Sequence, residues 1–230
     1  RQPVWVLNSE EFAQFPNEVG TLSTISTNHI LRFWDVATQT LQRAVPLPGI
    51  TDSTQQFHFA LRGNRLAAVD NDPMIRLHDT TMGSVIGKIK SHARGIDWLH
   101  IEGVKFSPDA RLLATAGADD VVNLWDVATQ KELGGMSGHK ESAQGLAFSP
   151  DGSLLASASF VGSVRFLRIP TGKVESPLTG IPEGCSGVAF SPDGRTLAVA
   201  CEDGTVRLWN LATRREVAVL KHGEAPLRFV

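Results

Sequence analysis

Cysteine is scarce in this 230-residue chain, which has two, Cys185 and Cys201. Two are too few for the disulfide framework of a small secreted domain and lack the paired spacing of a zinc site, so both are expected as buried thiols. Net charge is nearly absent as well, since 22 Lys and Arg against 24 Asp and Glu leave −2. Without a cationic excess, the long-range attraction that draws a protein to nucleic acid or to an anionic membrane is missing, and no nucleic-acid partner is expected. No apolar run approaches the roughly 20 residues that cross a bilayer as a helix, so membrane insertion is not expected either. The chain opens on Arg1 rather than on methionine or a charged-then-apolar leader, which reads as a native start removed or an internal segment. A soluble, cytoplasmic protein is the working expectation, although the compartment itself is not written in the sequence.

What the chain has is repetition. With 42% hydrophobic and 20% charged residues it can bury a large core. The segment FSPDA at Phe106 to Ala110 returns as FSPDG at Phe148 to Gly152 and at Phe190 to Gly194, each 42 residues after the last. Nineteen residues after each phenylalanine stands a second landmark, Trp125, Leu167 or Trp209. The same interval pairs Phe59 with His78 and Phe15 with Trp34, so five units emerge. They run over roughly 4–47, 55–91, 92–137, 139–179 and 183–221, followed by 226–230, the opening strand of a sixth.

Within the third unit GVKF reads as a strand, SPDA as a turn with proline and aspartate in turn-favoured places, and RLLATAG as an apolar strand ending in glycine. VVNLWDV is the next strand, ATQK a turn, and glycine-rich ELGGMSGH a weaker edge strand. A lone four-stranded antiparallel meander of this size cannot cover both apolar faces, so the units must stack around an axis. The expected fold is all-β, a β-propeller of four-stranded blades with five recognisable blades and an incomplete ring. The pairs Trp34-Asp35 and Trp125-Asp126, the variant Trp209-Asn210 and the pair Gly138-His139 resemble the WD-repeat family, and the FSPDG and LWDVAT phrasing is most similar to its bacterial members.

The resemblance implies a structural tetrad of a histidine, a Ser or Thr on the second strand, an aspartate in the next turn and the tryptophan. In the third unit His92, Asp119 and Trp125 match, while the hydroxyl position is Gly117, with Thr115 two residues earlier as a substitute. The fourth unit has His139 and Ser159 but Val161 and Leu167 in the aspartate and tryptophan positions, so its network is expected to be broken. The fifth keeps Asp203 and Trp209 but has Ile181 and Cys201, and the first has Ser26, Asn28 and Trp34. A buried His beside Asp could be an acid–base pair, yet this spacing reproduces architecture and no nucleophile recurs near it. No catalytic residue, metal site or cofactor is expected.

Arg32, Arg76, Asn123, Arg165 and Arg207 recur two residues before the tryptophan landmark. They form either a basic stripe for an acidic partner or, the reading preferred on near-neutral charge, long stems covering apolar surface between blades. Irregular loops carry the functional signal, because propeller strands are committed to packing. Between His92 and Phe106 lie 14 residues of separation against 9 from His139 to Phe148, and the surplus falls at Gly95 to His100. Trp98 there is the leading partner contact, with Asp97 and His100 able to add directional bonds, against the reading in which Trp98 folds back onto its blade. Phe160 lies just before the turn of the fourth unit, at a position that is often small or polar in the resembling repeats. It either projects from that same face or fills the space left where Leu167 replaces tryptophan, and the second reading carries more weight.

The expected function is a non-catalytic scaffold that binds proteins or peptides through loops and faces, with self-association possible through open blade edges. Two alternatives are a regulatory module of a larger bacterial enzyme such as a Ser/Thr kinase, an analogy with proteins in which such repeats occur, and a propeller enzyme with a channel site.

Overall fold

In a computed structural model the described residues are 11–14, 20–26, 28–50, 58–69, 74–90, 101–117, 119–140 and 142–221. The first sheet joins β1 (Glu11–Gln14), β2 (Thr21–Ser26), β3 (Ile30–Asp35) and β4 (Thr40–Pro46). The second joins β5 (His58–Arg62), β6 (Arg65–Val69), β7 (Met74–Asp79) and β8 (Ser84–Lys90). The third is β9 (Ile101–Phe106), β10 (Leu112–Gly117), β11 (Val122–Asp126) and β12 (Glu132–Met136). The fourth is β13 (Ala143–Phe148), β14 (Leu154–Ser159), β15 (Ser163–Arg168) and β16 (Lys173–Leu178). The fifth is β17 (Cys185–Phe190), β18 (Thr196–Cys201), β19 (Thr205–Asn210) and β20 (Arg215–Lys221). Every sheet is an antiparallel meander in chain order, with no crossover.

The alternation of strand side chains puts one apolar set on each face of a blade. Ala156, Ala158, Val164, Phe166 and Leu178 of blade 4 meet Val188, Leu197, Val199 and Trp209 of blade 5 in one core. Equivalent cores lie between blades 1 and 2, 2 and 3, and 3 and 4. Fully burying a side chain such as Phe166 contributes about 1.5 to 3 kcal/mol, so each interface is held by several such residues. First strands β5, β9, β13 and β17 run side by side as the inner line, and the fourth strands form the exposed rim.

The three SPD turns share one internal geometry. Ser107, Ser149 and Ser191 each donate a hydroxyl to the aspartate two residues on, at 2.6, 2.6 and 2.5 Å. The same hydroxyls accept the backbone N–H that opens the second strand. The turns between third and fourth strands repeat too, each with a left-handed residue at Gln39, Gly83, Gln130, Gly172 or Arg214. Two of these reach back to the preceding blade. Gln130 accepts from the Lys88 backbone N–H at 3.2 Å, and Arg214 meets Glu175 at 2.5 Å while lying over the Phe166 ring.

The propeller is open: among the described residues the fifth sheet does not pack on the first. Val45, Ile89, Met136 and Leu178, near the ends of the fourth strands of blades 1 to 4, are 5%, 1%, 2% and 2% exposed. Their equivalent in blade 5, Leu220, is 53% exposed. Residues 226–230, expected as a further opening strand, lie outside the described residues.

The two cysteines correct the sequence reading. Both are buried as expected, but they form a disulfide rather than two thiols. Cys185 on β17 and Cys201 on β18 are direct cross-strand partners, brought into register by a bulge before Gly187.

Candidate functional site

A meander places its first and third turns at one end of the blade and its second turn, with the link to the next blade, at the other. The second end carries the polar networks and Phe160. In blade 3, Trp125 Nε1 donates to Thr115 Oγ1 at 3.0 Å, and in blade 1 Trp34 Nε1 donates to Thr24 Oγ1 at the same distance. The bonding hydroxyl therefore sits at Thr24, Thr115 and Ser157, two residues before the position expected at Ser26, Gly117, Ser159 and Cys201. Alternate strand residues share a face, so spacing alone could not choose between them.

Blade 4 was expected to have lost its network, and it has not. His139 Nε2 is hydrogen-bonded to Ser157 Oγ and its Nδ1 to Ser163 Oγ, both at 3.0 Å. Ser163 in turn bonds Ser159 at 2.8 Å. Ser163 thus replaces the missing aspartate of Val161, and buried Leu167 needs no polar partner. Burial, followed by the nearby Arg165 guanidinium, lowers the His139 pKa to about 4, so the ring is neutral. Asp119 accepts from the Val121 backbone N–H at 3.3 Å. Asp203, with Ile181 where a histidine would stand, instead accepts from Thr205 and faces Arg207 at 3.6 Å.

Two blades lack the hydroxyl. Ala68 and Val199 occupy its place in blades 2 and 5. His78, which replaces tryptophan in blade 2, is wholly buried with both ring nitrogens unpaired, and burial followed by Arg76 lowers its pKa to about 4. Trp209 Nε1 is likewise buried without an acceptor.

The recurrent arginines are engaged locally. Arg32 donates to Ser26 at 2.6 Å, Arg76 is buried beside Gly49, Arg165 lies against Gly138, and Arg207 pairs with Glu216 at 3.0 Å and with Asp203.

Phe160 stands in the turn between β14 and β15. It is 38% exposed, while Leu167 fills its own site and is 1% exposed. Its turn is fixed on both sides: Gly162 N–H donates to Ser159 O at 3.1 Å, and Gly184 N–H of the link to blade 5 donates to Phe160 O at 2.7 Å. Glu183, Glu202 and Asp203, on the link and the matching turn of blade 5, are exposed. His92, Asp97, Trp98 and His100 lie outside the described residues. Among those described, no group of three or more His, Cys, Asp and Glu is placed to hold a metal ion.

At the opposite end a groove of about 610 Å³ runs between blades 4 and 5, lined by Asp151, Phe166, Arg168, Glu175, Asp193 and Arg214. Its charges satisfy one another, with Glu175 bridging Arg168 and Arg214. That makes it an inter-blade clasp.

Stacked four-stranded meanders with these networks define a β-propeller repeat protein. The family model for the WD domain, G-beta repeat, matches residues 83–126, 130–166 and 172–210, more than half of the chain, and the chain belongs to that family. It is similar to WD repeat-containing protein ATCSA-1 of Arabidopsis thaliana, 26% identical over 49% of this chain and 24% of that protein. It is also similar to nuclear distribution protein PAC1 of Coccidioides posadasii (strain C735), 34% identical over 35% of this chain and 16% of that protein. The matches thus span a quarter or less of these curated relatives. A chain in the crystal structure of the mitotic checkpoint complex has the same fold, with a TM-score of 0.77 at 16% identity, covering 96% of this chain and 68% of that one. Both curated relatives are eukaryotic and give no support to a bacterial affinity. Proteins of this family are in general non-catalytic scaffolds for protein interaction.

Proposed function

We propose that this chain is a scaffold that binds a protein or peptide segment across the blade ends bearing Phe160, with Asp97, Trp98 and His100 contributing from the long link before blade 3. The observation that carries the reading is Phe160 itself, an exposed aromatic ring in a turn fastened from both sides. Apolar area held rigidly costs little conformational entropy on binding, which is why aromatic residues dominate interface hot spots. The exposed carboxylate of Glu183, on the link that fastens this turn, favours a segment that pairs an apolar anchor with a basic residue. Binding is by presentation, with no bond made or broken.

Selection from a displayed peptide library tests this. The wild-type chain is expected to enrich a common apolar-basic motif, and Phe160→Ala is expected to lose that enrichment while unfolding at the same temperature. A motif enriched equally by Phe160→Ala and by Trp98→Ala would overturn the assignment of the face.

A further inference from the structure

Blade 5 lacks both devices that hold other blades. Val199 and Ile181 stand where a hydroxyl and a histidine would be, so Trp209 Nε1 has no acceptor. Blade 2, with Ala68 and Ile50 at the same two positions, lacks both as well, but it is packed between blades 1 and 3. The outward face of blade 5, with Val206, Leu208 and Leu220, has no described blade against it.

What blade 5 has instead is covalent. Cys185 opens its first strand directly opposite Cys201, the last residue of its second. The corresponding pairs elsewhere are Glu11 with Ser26, His58 with Val69, Ile101 with Gly117 and Ala143 with Ser159, none of them able to cross-link. Both sulfurs sit in the core shared by Ile181, Val199 and Trp209, where the absent network would run.

We propose that Cys185 and Cys201 form a reversible thiol-oxidation site that ties β17 to β18 in the blade without a polar network, making the order of blade 5 depend on redox state. The reactant class is a small disulfide such as oxidised glutathione. One cysteine thiolate attacks a sulfur of that disulfide, breaking its S–S bond, forming a mixed disulfide and expelling a thiolate. The second cysteine thiolate then attacks the protein sulfur of the mixed disulfide, closing the Cys185–Cys201 bond and expelling the other thiolate. Two protein thiols are oxidised, the reagent is reduced to two thiols, and the two cysteine protons pass to the released thiolates. Both cysteines are buried, so exchange in either direction requires β17 to part from β18. The closed link constrains the unfolded chain across a separation of 16 residues, the ordinary source of disulfide stabilisation.

Wild-type protein equilibrated in glutathione buffers of graded composition tests this without any substitution. Linkage is read by non-reducing peptide mass mapping, and local order by amide hydrogen exchange. In oxidising buffer a Cys185–Cys201 peptide is expected, with β17 and β18 amides exchanging at least tenfold more slowly than in the reduced protein and blade 3 amides unchanged. Cys201→Ser is expected to keep the reduced pattern in every buffer. Absence of the linked peptide from folded, oxidised protein overturns the proposal, and so do equal β17–β18 exchange rates in the linked and reduced forms.

Discussion

Ser163 Oγ lies 3.0 Å from His139 Nδ1 and takes the role that an aspartate plays in the resembling repeats. With Ser157 on the other ring nitrogen, a buried neutral histidine is satisfied at both ends without a counter-charge. Removing one partner leaves a buried polar atom exposed to apolar surroundings. Ser157→Ala is therefore expected to cost about 1 to 3 kcal/mol, seen as a lower urea midpoint with unchanged slope. A midpoint equal to wild type would contradict the network.

The missing hydroxyl of blade 5 gives the converse test. Val199→Thr is nearly isosteric and puts an oxygen where Thr24 and Thr115 accept from tryptophan. Because Trp209 Nε1 now lacks an acceptor, the change is expected to be neutral or to stabilise by about 1 kcal/mol. Val164→Thr, on a buried face with no such donor, is expected to destabilise by about 1 to 3 kcal/mol. Thermal midpoints of the two variants, measured side by side, decide it.

Acid sensitivity follows from the two buried histidines. His78 and His139 fall from 6.5 to about 4, chiefly through burial. A depressed folded pKa means that the unfolded chain binds the proton first. The stability tied to these groups is fully present above pH 6.5 and is lost as pH falls towards 4. Urea unfolding between pH 7.5 and 5 is expected to show falling stability, with a shallower fall in His78→Leu; parallel profiles would contradict the assignment.

Gly162 lets the Phe160 turn approach the next link. It has φ of 72°, and a Cβ there would come within 2.5 Å of the Ile181 and Pro182 carbonyl oxygens. Gly172, with φ of 69°, has open space around it. Gly162→Ala is expected to cost roughly 2 to 4 kcal/mol against about 1 for Gly172→Ala, since only the first adds a backbone clash to the left-handed strain. Equal thermal midpoints would place the turn away from the link.

Much of this architecture could be read from residue order. The 42-residue interval between Phe106, Phe148 and Phe190 sets the blade repeat, and the SPD turns of blades 3 to 5 with the nineteen-residue landmarks set the strand order there. What spacing could not supply was side-chain register. Thr115 and Gly117 share a face, so choosing the bonding position needed the strand pairing. Ser163 was invisible as a substitute because it lies two residues beyond the aspartate position. The cysteines are 16 residues apart, and only the bulge at Gly187 brings Cys185 opposite Cys201. Residue order likewise does not say how exposed Phe160 is beside a buried Leu167.

The most direct test of the scaffold reading is the affinity of a selected peptide for wild type and Phe160→Ala, measured by titration calorimetry beside the thermal midpoint of each. A loss of at least tenfold, about 1.4 kcal/mol, with the midpoint held within about 2 °C, is the predicted result. Equal affinity for the two proteins would contradict it and remove Phe160 from the binding face.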